Sequence, residues 1–250
     1  MREIDLNCDV GEGFGADAEI LEHVTSANVA CGFHAGGPAS MHATVTLAAA
    51  RGVAVGVHPG LADPDGFGRR TARPTPEETY EIVVYQIGAL GAFAAAAGIQ
   101  LQHVKPHGAL YNLAATDVRI AAAIARAVRD VDRRLVLFGL AGSRLIEAGV
   151  AEGLRTASEV FADRGYRPDG TLVPRGEPGA LVTDPQEVVL RALRMAREGR
   201  VTAVNATALP VRADTICVHG DTPGAARLAR ALHDALIAEG LTLRAVGRNR

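Results

Sequence analysis

A chain of 250 residues, 48% of them hydrophobic, has material for a sizeable core and fits one α/β barrel domain spanning 1–250. Its formal net charge of −2, with arginines scattered among acids, offers no basic field and argues against a nucleic-acid partner. The three cysteines, Cys8, Cys31 and Cys217, are far apart in apolar runs, and an odd number leaves a disulfide framework incomplete, so reduced, buried thiols in a cytoplasmic protein are expected.

The chain opens Met1-Arg2-Glu3-Ile4-Asp5, acidic from the third residue and without an apolar leader, and no apolar run approaches the roughly 20 residues that span a bilayer. The first strand is predicted over Ile4 to Asp9, where Ile4, Leu6 and Cys8 alternate with Asp5, Asn7 and Asp9. Its polar face is read as part of a site, because the glycine-rich turn Val10 to Gly15 follows immediately. After a short helix near Ala16 to His23, the strand Ala27 to Cys31 runs through Gly32-Phe33-His34-Ala35-Gly36-Gly37 into a helix from about Ala39 to Arg51. Backbone N–H groups at such a helix start favour an anion, although the Lys-Ser/Thr of a P-loop is absent. A third strand, Val53 to Val57, enters His58-Pro59-Gly60 and a long glycine-rich loop through Arg70, placed to cover a site. Thr75-Pro76-Glu77-Glu78 then carries the cap, proline and third-position Glu of a helix start.

Leu101 to Val104 is the fourth strand, and it leads into His103-Val104-Lys105-Pro106-His107-Gly108, which contains the only lysine in the protein. Where every other permanent positive charge is arginine, a lysine is a candidate for work needing a compact ammonium that can release its proton. A helix from about Asp117 to Val131 precedes the apolar strand Leu135 to Leu140, and a sixth strand near Leu154 to Ala157 leads to a charged loop from Ser158 to Tyr166. Asp169 to Pro178 is expected to form an excursion or small hairpin. Asp184-Pro185-Gln186-Glu187 starts another helix, and the strand Thr215 to Val218 ends at His219-Gly220-Asp221, with Thr222-Pro223 capping a last helix.

Seven strands alternating with helices predict a parallel sheet, and right-handed crossovers allow it to close into a barrel, with an open doubly wound sheet as the alternative. Asn7, Asp9, His34, His58, Lys105, His107, Glu159, Asp163, His219 and Asp221 all fall just after strands, and a barrel would bring those ends to one face. The histidines lack the local spacing of a zinc motif, so a metal site would have to be assembled from distant strands.

Taken in order, Asp5 to Gly15, Ala27 to Gly36, His58-Pro59-Gly60, Gly66 to Arg70, Val104 to Tyr111, Phe161-Ala162-Asp163-Arg164 and Val218 to Pro223 resemble the successive motifs of the LamB/YcsF family across nearly the whole chain. Gly37 stands where that family commonly has Asp, and the segment after Gly15 is shorter than in many members. The resemblance implies an irregular seven-stranded β/α (TIM-like) barrel similar to the glycoside hydrolase/deacetylase group. It implies one component, designated A, of an ATP-dependent bacterial 5-oxoprolinase, acting with partner subunits B and C on 5-oxo-L-proline, with ATP as co-substrate. Asp9, His58, Lys105, His107, His219 and Asp221 are then the catalytic candidates. Asn7, Glu12, Gly32, His34, Gly36, Arg69, Glu159, Asp163 and Arg164 are the substrate- and phosphate-binding candidates. Lys105 and the Gly32 to Gly37 loop suit the stabilisation of an oxyanion or phosphate, while the carboxylates and histidines offer a base for water. Two competing readings are a deacetylase on a similar barrel, with a divalent metal held by Asp9 and histidines, and a non-catalytic binding subunit. The expected partition of labour leaves the isolated chain inactive, and a closed barrel predicts that Asp9 and His219-Gly220-Asp221 are neighbours.

Overall fold

The computed structural model describes residues 2–247. In chain order its elements are β1 (Glu3–Val10), α1 (Asp17–Ile20), β2 (Ser26–Ala30), α2 (Pro38–Ala50), β3 (Ala54–His58), α3 (Pro76–Ala96), β4 (His103–Val104), α4 (Gly108–Thr116) and α5 (Val118–Val131). There follow β5 (Val136–Leu140), α6 (Arg144–Ala151), β6 (Arg155–Phe161), α7 (Pro185–Glu198), β7 (Arg200–Thr202), β8 (Ala208–Pro210), β9 (Thr215–Val218), α8 (Ala225–Ala238) and β10 (Thr242–Leu243). The parallel strands run β1-β2-β3-β4-β5-β6-β9, and β9 pairs back onto β1, so seven strands close a barrel. The closing register sets Asp5 beside Thr215 and Asn7 beside Cys217. β10 extends the start of β1, and β7 and β8 form a separate antiparallel pair.

Alternation along β1 determines what fills the barrel. Ile4, Leu6, Cys8 and Val10 join one hydrophobic cluster with Val45, Val83, Leu90, Ile124 and Leu232 of the surrounding helices. Asp5, Asn7 and Asp9 therefore face inward, where they bond to residues of the adjacent strands and, through Glu159 and Lys105, of strands across the barrel, so the interior of this barrel is largely polar. An apolar exception is the small cluster of Val136, Phe138 and Ala157, with the His103 ring stacked 4.3 Å from Phe138.

Several local expectations need correction. β6 continues to Phe161, beyond the predicted Ala157: Ser158 is buried with its backbone bonded to Asp214, and Glu159 is buried with Asn7 and Lys105 as partners inside the barrel. α4 begins directly at Gly108, a helix that the turn-like Lys-Pro-His-Gly stretch conceals. α8 starts after Gly224, whose φ is 81°, with no side-chain cap from Thr222. By length and composition α3 reaches membrane-spanning size, with 21 residues and a mean hydropathy of 1.2, yet Val83, Ile87, Leu90 and Ala94 are buried on the barrel's outer layer. Its start is as expected: Thr75 Oγ1 accepts from Glu78 N, and Glu78 Oε2 accepts from Thr75 N. All three cysteines are free and buried.

Candidate active site

The polar side chains inside the barrel form a continuous network. At the strand starts, Asp5 accepts hydrogen bonds from the hydroxyls of Thr25, Ser26 and Thr215. One layer up, Asn7 donates to Glu159 Oε1 at 3.0 Å and to Thr215 Oγ1 at 2.6 Å. Asn28 donates to Asn7 Oδ1 at 2.7 Å and to Asp9 Oδ1 at 2.8 Å, and its own oxygen meets His103 Nε2 at 2.7 Å. The Lys105 ammonium lies above, 2.8 Å from Asp9 Oδ1, 3.0 Å from Glu159 Oε1 and 2.9 Å from Cys217 Sγ. Far from standing at open strand ends, Lys105 is only 2% exposed. Burial alone would strip its proton, but Asp9, Cys217 and Glu159 together hold its pKa well above the ordinary lysine value. Lys105 is thus a fixed charge rather than a group poised to release a proton. Burial likewise acts to raise the Asp9 carboxyl, yet His58 and Lys105 beside it hold it well below the usual carboxylate range.

A second group gathers where β1, β2, β3 and β4 end. His58 Nδ1 lies 2.8 Å from the Lys105 carbonyl, His107 Nε2 lies 2.8 Å from the Phe67 carbonyl, and His107 Nδ1 faces His58 Nε2 at 2.9 Å. Glu12 Oε1 is 3.2 Å from His34 Nε2 and 3.5 Å from His107 Nδ1. Burial first, and then Asp9 and Asp221, push the Glu12 carboxyl up to about 9. Burial, reinforced by His58, lowers His34 to about 2 and depresses His107 as well. The loop after β3 fastens this group from above: the Gly68 carbonyl accepts from Ala109 N, and a Cβ on Gly108, whose φ is 54°, would stand 2.6 Å from that oxygen.

Between these groups opens a cavity of about 170 Å³, lined by Asp9, His58, Arg69, Lys105, His107, Tyr111, Asn112, Phe161, Arg164, Arg175 and His219, among others. On its far wall His219 Nδ1 is 2.7 Å from Asp163 Oδ2, and the ring stacks on Phe161 at 5.3 Å between centroids. Burial opposes ionisation of Asp163, but the neighbouring His219 outweighs it and the carboxyl is lowered. Barrel closure brings His219 to this point: a Cβ on Gly220 would lie 2.3 Å from the Asp9 carbonyl, so the β9 end passes β1 in close contact. Asp221 pairs with Arg69 at 2.7 Å, with Arg175 3.9 Å away.

The fold brings Asp9, His58, Lys105, His107 and His219 together on the cavity wall, with Asp221 bound to Arg69 beside them. Asn7 and Glu159 are fully buried partners of Lys105 rather than wall residues, and Glu12, His34 and Asp163 each lie against a histidine of the site. Arg164 reaches the wall but commits two donors to the carbonyls of Val173 and Ala180. Gly32 and Gly36 sit apart from the cavity: Gly32 N donates to Ala35 O, and Ser40 Oγ accepts from Gly37 N at the start of α2. Asn28, Cys217, Tyr111 and Arg175 are not marked by the sequence as site residues. Asn28 had a signal, a lone polar residue in an apolar strand, whereas Arg175 lies in a Gly- and Pro-rich stretch without periodicity.

The closed parallel β/α barrel is a fold also found in deacetylase structures. A family 4 carbohydrate esterase from Streptomyces lividans shares the fold alone, at 11% identity and a TM-score of 0.52, over 98% of this chain and 93% of that one. The chain belongs to the LamB/YcsF family, whose profile matches residues 4–250. A lactam utilization protein from Thermus thermophilus is similar at 49% identity and a TM-score of 0.90, covering 98% of this chain and all of the other. Relatives that carry the name of the 5-oxoprolinase A component include one from Geobacillus kaustophilus, 56% identical over 99% of this chain and 98% of its own length. Another, from Bacillus subtilis, is 52% identical over 100% of this chain and 99% of its own length.

Proposed function

We propose that this chain is the A component of an ATP-dependent 5-oxoprolinase, opening the lactam of 5-oxo-L-proline to L-glutamate together with subunits B and C. The observation that carries this reading is the Asp163–His219 pair on the wall of a small cavity beside three arginines. Asp163 orients the His219 ring through Nδ1, leaving Nε2 to take a proton from water and return it to the ring nitrogen as the C–N bond breaks. A lactam carbonyl is a poor electrophile, and transfer of a phosphoryl group to its oxygen activates the carbon for addition of water; C–N cleavage then leaves an acyl phosphate, from which a second water releases phosphate to give glutamate. Arg69 and Arg175 provide positive charge for that oxygen, and Lys105 fixes Asp9. A cavity of about 170 Å³ suits a five-membered lactam and is well below the ~300–1,000 Å³ of pockets for larger ligands, so we assign the ATP site to the partner subunits.

The test is glutamate formation from 5-oxoproline and ATP by this chain alone, by B and C alone, and by all three. Turnover is expected only from the full set. His219→Gln, which retains a donor toward Asp163, should lower it by ~10²–10⁴-fold with little change in melting temperature. Full turnover by the isolated chain, or by the complex carrying His219→Gln, would overturn the assignment.

A further inference from the structure

We propose that Glu12, His58 and His107 form a binding site for a divalent transition-metal ion of the zinc type, with a fourth position open to the cavity. This inference stands apart from the lactam reading, because it follows from where the ring protons must be. A carbonyl oxygen only accepts, so His58 carries hydrogen on Nδ1, toward the Lys105 carbonyl, and His107 carries it on Nε2, toward the Phe67 carbonyl. With one proton on each ring, the two remaining nitrogens, His58 Nε2 and His107 Nδ1, present lone pairs to each other at 2.9 Å, and Asp9 Oδ1 lies 3.5 Å from the first of them. Such a pair repels unless a cation lies between, either a shared proton or a metal ion.

The Glu12 carboxyl, which a cation at this point would hold ionised, favours the metal. Its Oε1 stands 3.5 Å from His107 Nδ1 and 3.8 Å from His58 Nε2, too far to bond to either ring yet turned to the same point. The three separations, 2.9, 3.5 and 3.8 Å, bracket the ~3.4 Å between ligands held about 2.0–2.1 Å from a tetrahedral ion. Each histidine also donates its other N–H to a backbone oxygen, the arrangement that orients metal ligands. Two imidazoles and one carboxylate leave a coordination place free, as catalytic zinc sites do. His34 is excluded as a fourth ligand. Its ring is stacked on His107 at 3.7 Å and 5°, and two parallel ring planes cannot both contain one ion. His34 Nε2, 3.2 Å from Glu12 Oε1, is a positioning donor for the carboxylate.

The chain, stripped with a chelator and shown to be folded by circular dichroism, would be titrated with zinc chloride and, separately, cobalt chloride. One ion per chain by elemental analysis, a rise in melting temperature and a cobalt absorption spectrum of low-coordinate type are expected. Glu12→Gln preserves shape and should weaken zinc binding by ~10–100-fold or more. His58→Asn with His107→Asn should abolish it. No uptake of either ion by folded wild-type chain would overturn the site in favour of a shared proton. Unchanged uptake by Glu12→Gln or by the double variant would assign the metal to surface histidines and overturn it equally.

Discussion

At the scale of single residues, Lys105 is one positive charge set against the buried carboxylates of Asp9 and Glu159, with its amine protons shared among Asp9, Glu159, Asn7 and Cys217. Removing the charge while keeping the bulk, as Lys105→Met does, would leave both carboxylates uncompensated in a water-poor interior, at a cost of ~3–5 kcal/mol. For a chain of this size that lowers the melting temperature by roughly 10 °C. Lys105→Arg should fare little better, since a planar guanidinium does not fit a pocket shaped to a compact ammonium. Adding Glu159→Gln to Lys105→Met should recover part of the loss. Thermal unfolding of the three variants checks this, and a near-normal melting point for Lys105→Met would mean that water reaches and solvates the carboxylates.

At the scale of elements, the regular segments were legible where periodicity and capping agree, and illegible where tertiary partners decide. α3 announces itself by Thr75-Pro76-Glu77-Glu78, and the reciprocal bonds between Thr75 and Glu78 form as that pattern requires. Thr75→Ala should therefore cost about 1 kcal/mol in a denaturant titration without altering turnover, because this cap is exposed and outside the cavity. β6 was legible only to Ala157, since Glu159 reads as a loop residue until its partner Lys105 is known. Lys105 itself stands out in the sequence by composition, yet nothing local shows that Cys217, 112 residues away, lies against its amine. The polar face of β1 could be recognised as a site face, but its enclosure by the barrel depends on β9 returning to pair with β1, which no window of sequence contains.

At the scale of the whole molecule, closure of the barrel seals the strand starts as well as building a cavity at the strand ends, and Asp5 reports on that seal. Burial raises its carboxyl from an ordinary 3.8 to about 6, although hydrogen bonds from Thr215, Thr25 and Ser26 work in the opposite direction. Between those two values the folded chain holds a proton that the unfolded chain has released. The contribution of Asp5 is therefore fully present below about pH 3.8 and is lost as pH rises through about 6. A shift of this size corresponds to at most about 3 kcal/mol at neutral pH. Asp5→Asn has no proton to lose and nearly the same shape, and the Thr215 hydroxyl can turn to accept from its amide while Thr25 and Ser26 still donate to its oxygen. Urea midpoints of the two proteins, measured with a chelator present so that no metal enters the balance, should diverge in favour of Asp5→Asn as pH rises from about 4 to 6.5. The gap should then stay constant at higher pH. A gap that does not change with pH would mean that Asp5 titrates alike in the folded and unfolded chain, and that water enters the barrel at its strand starts.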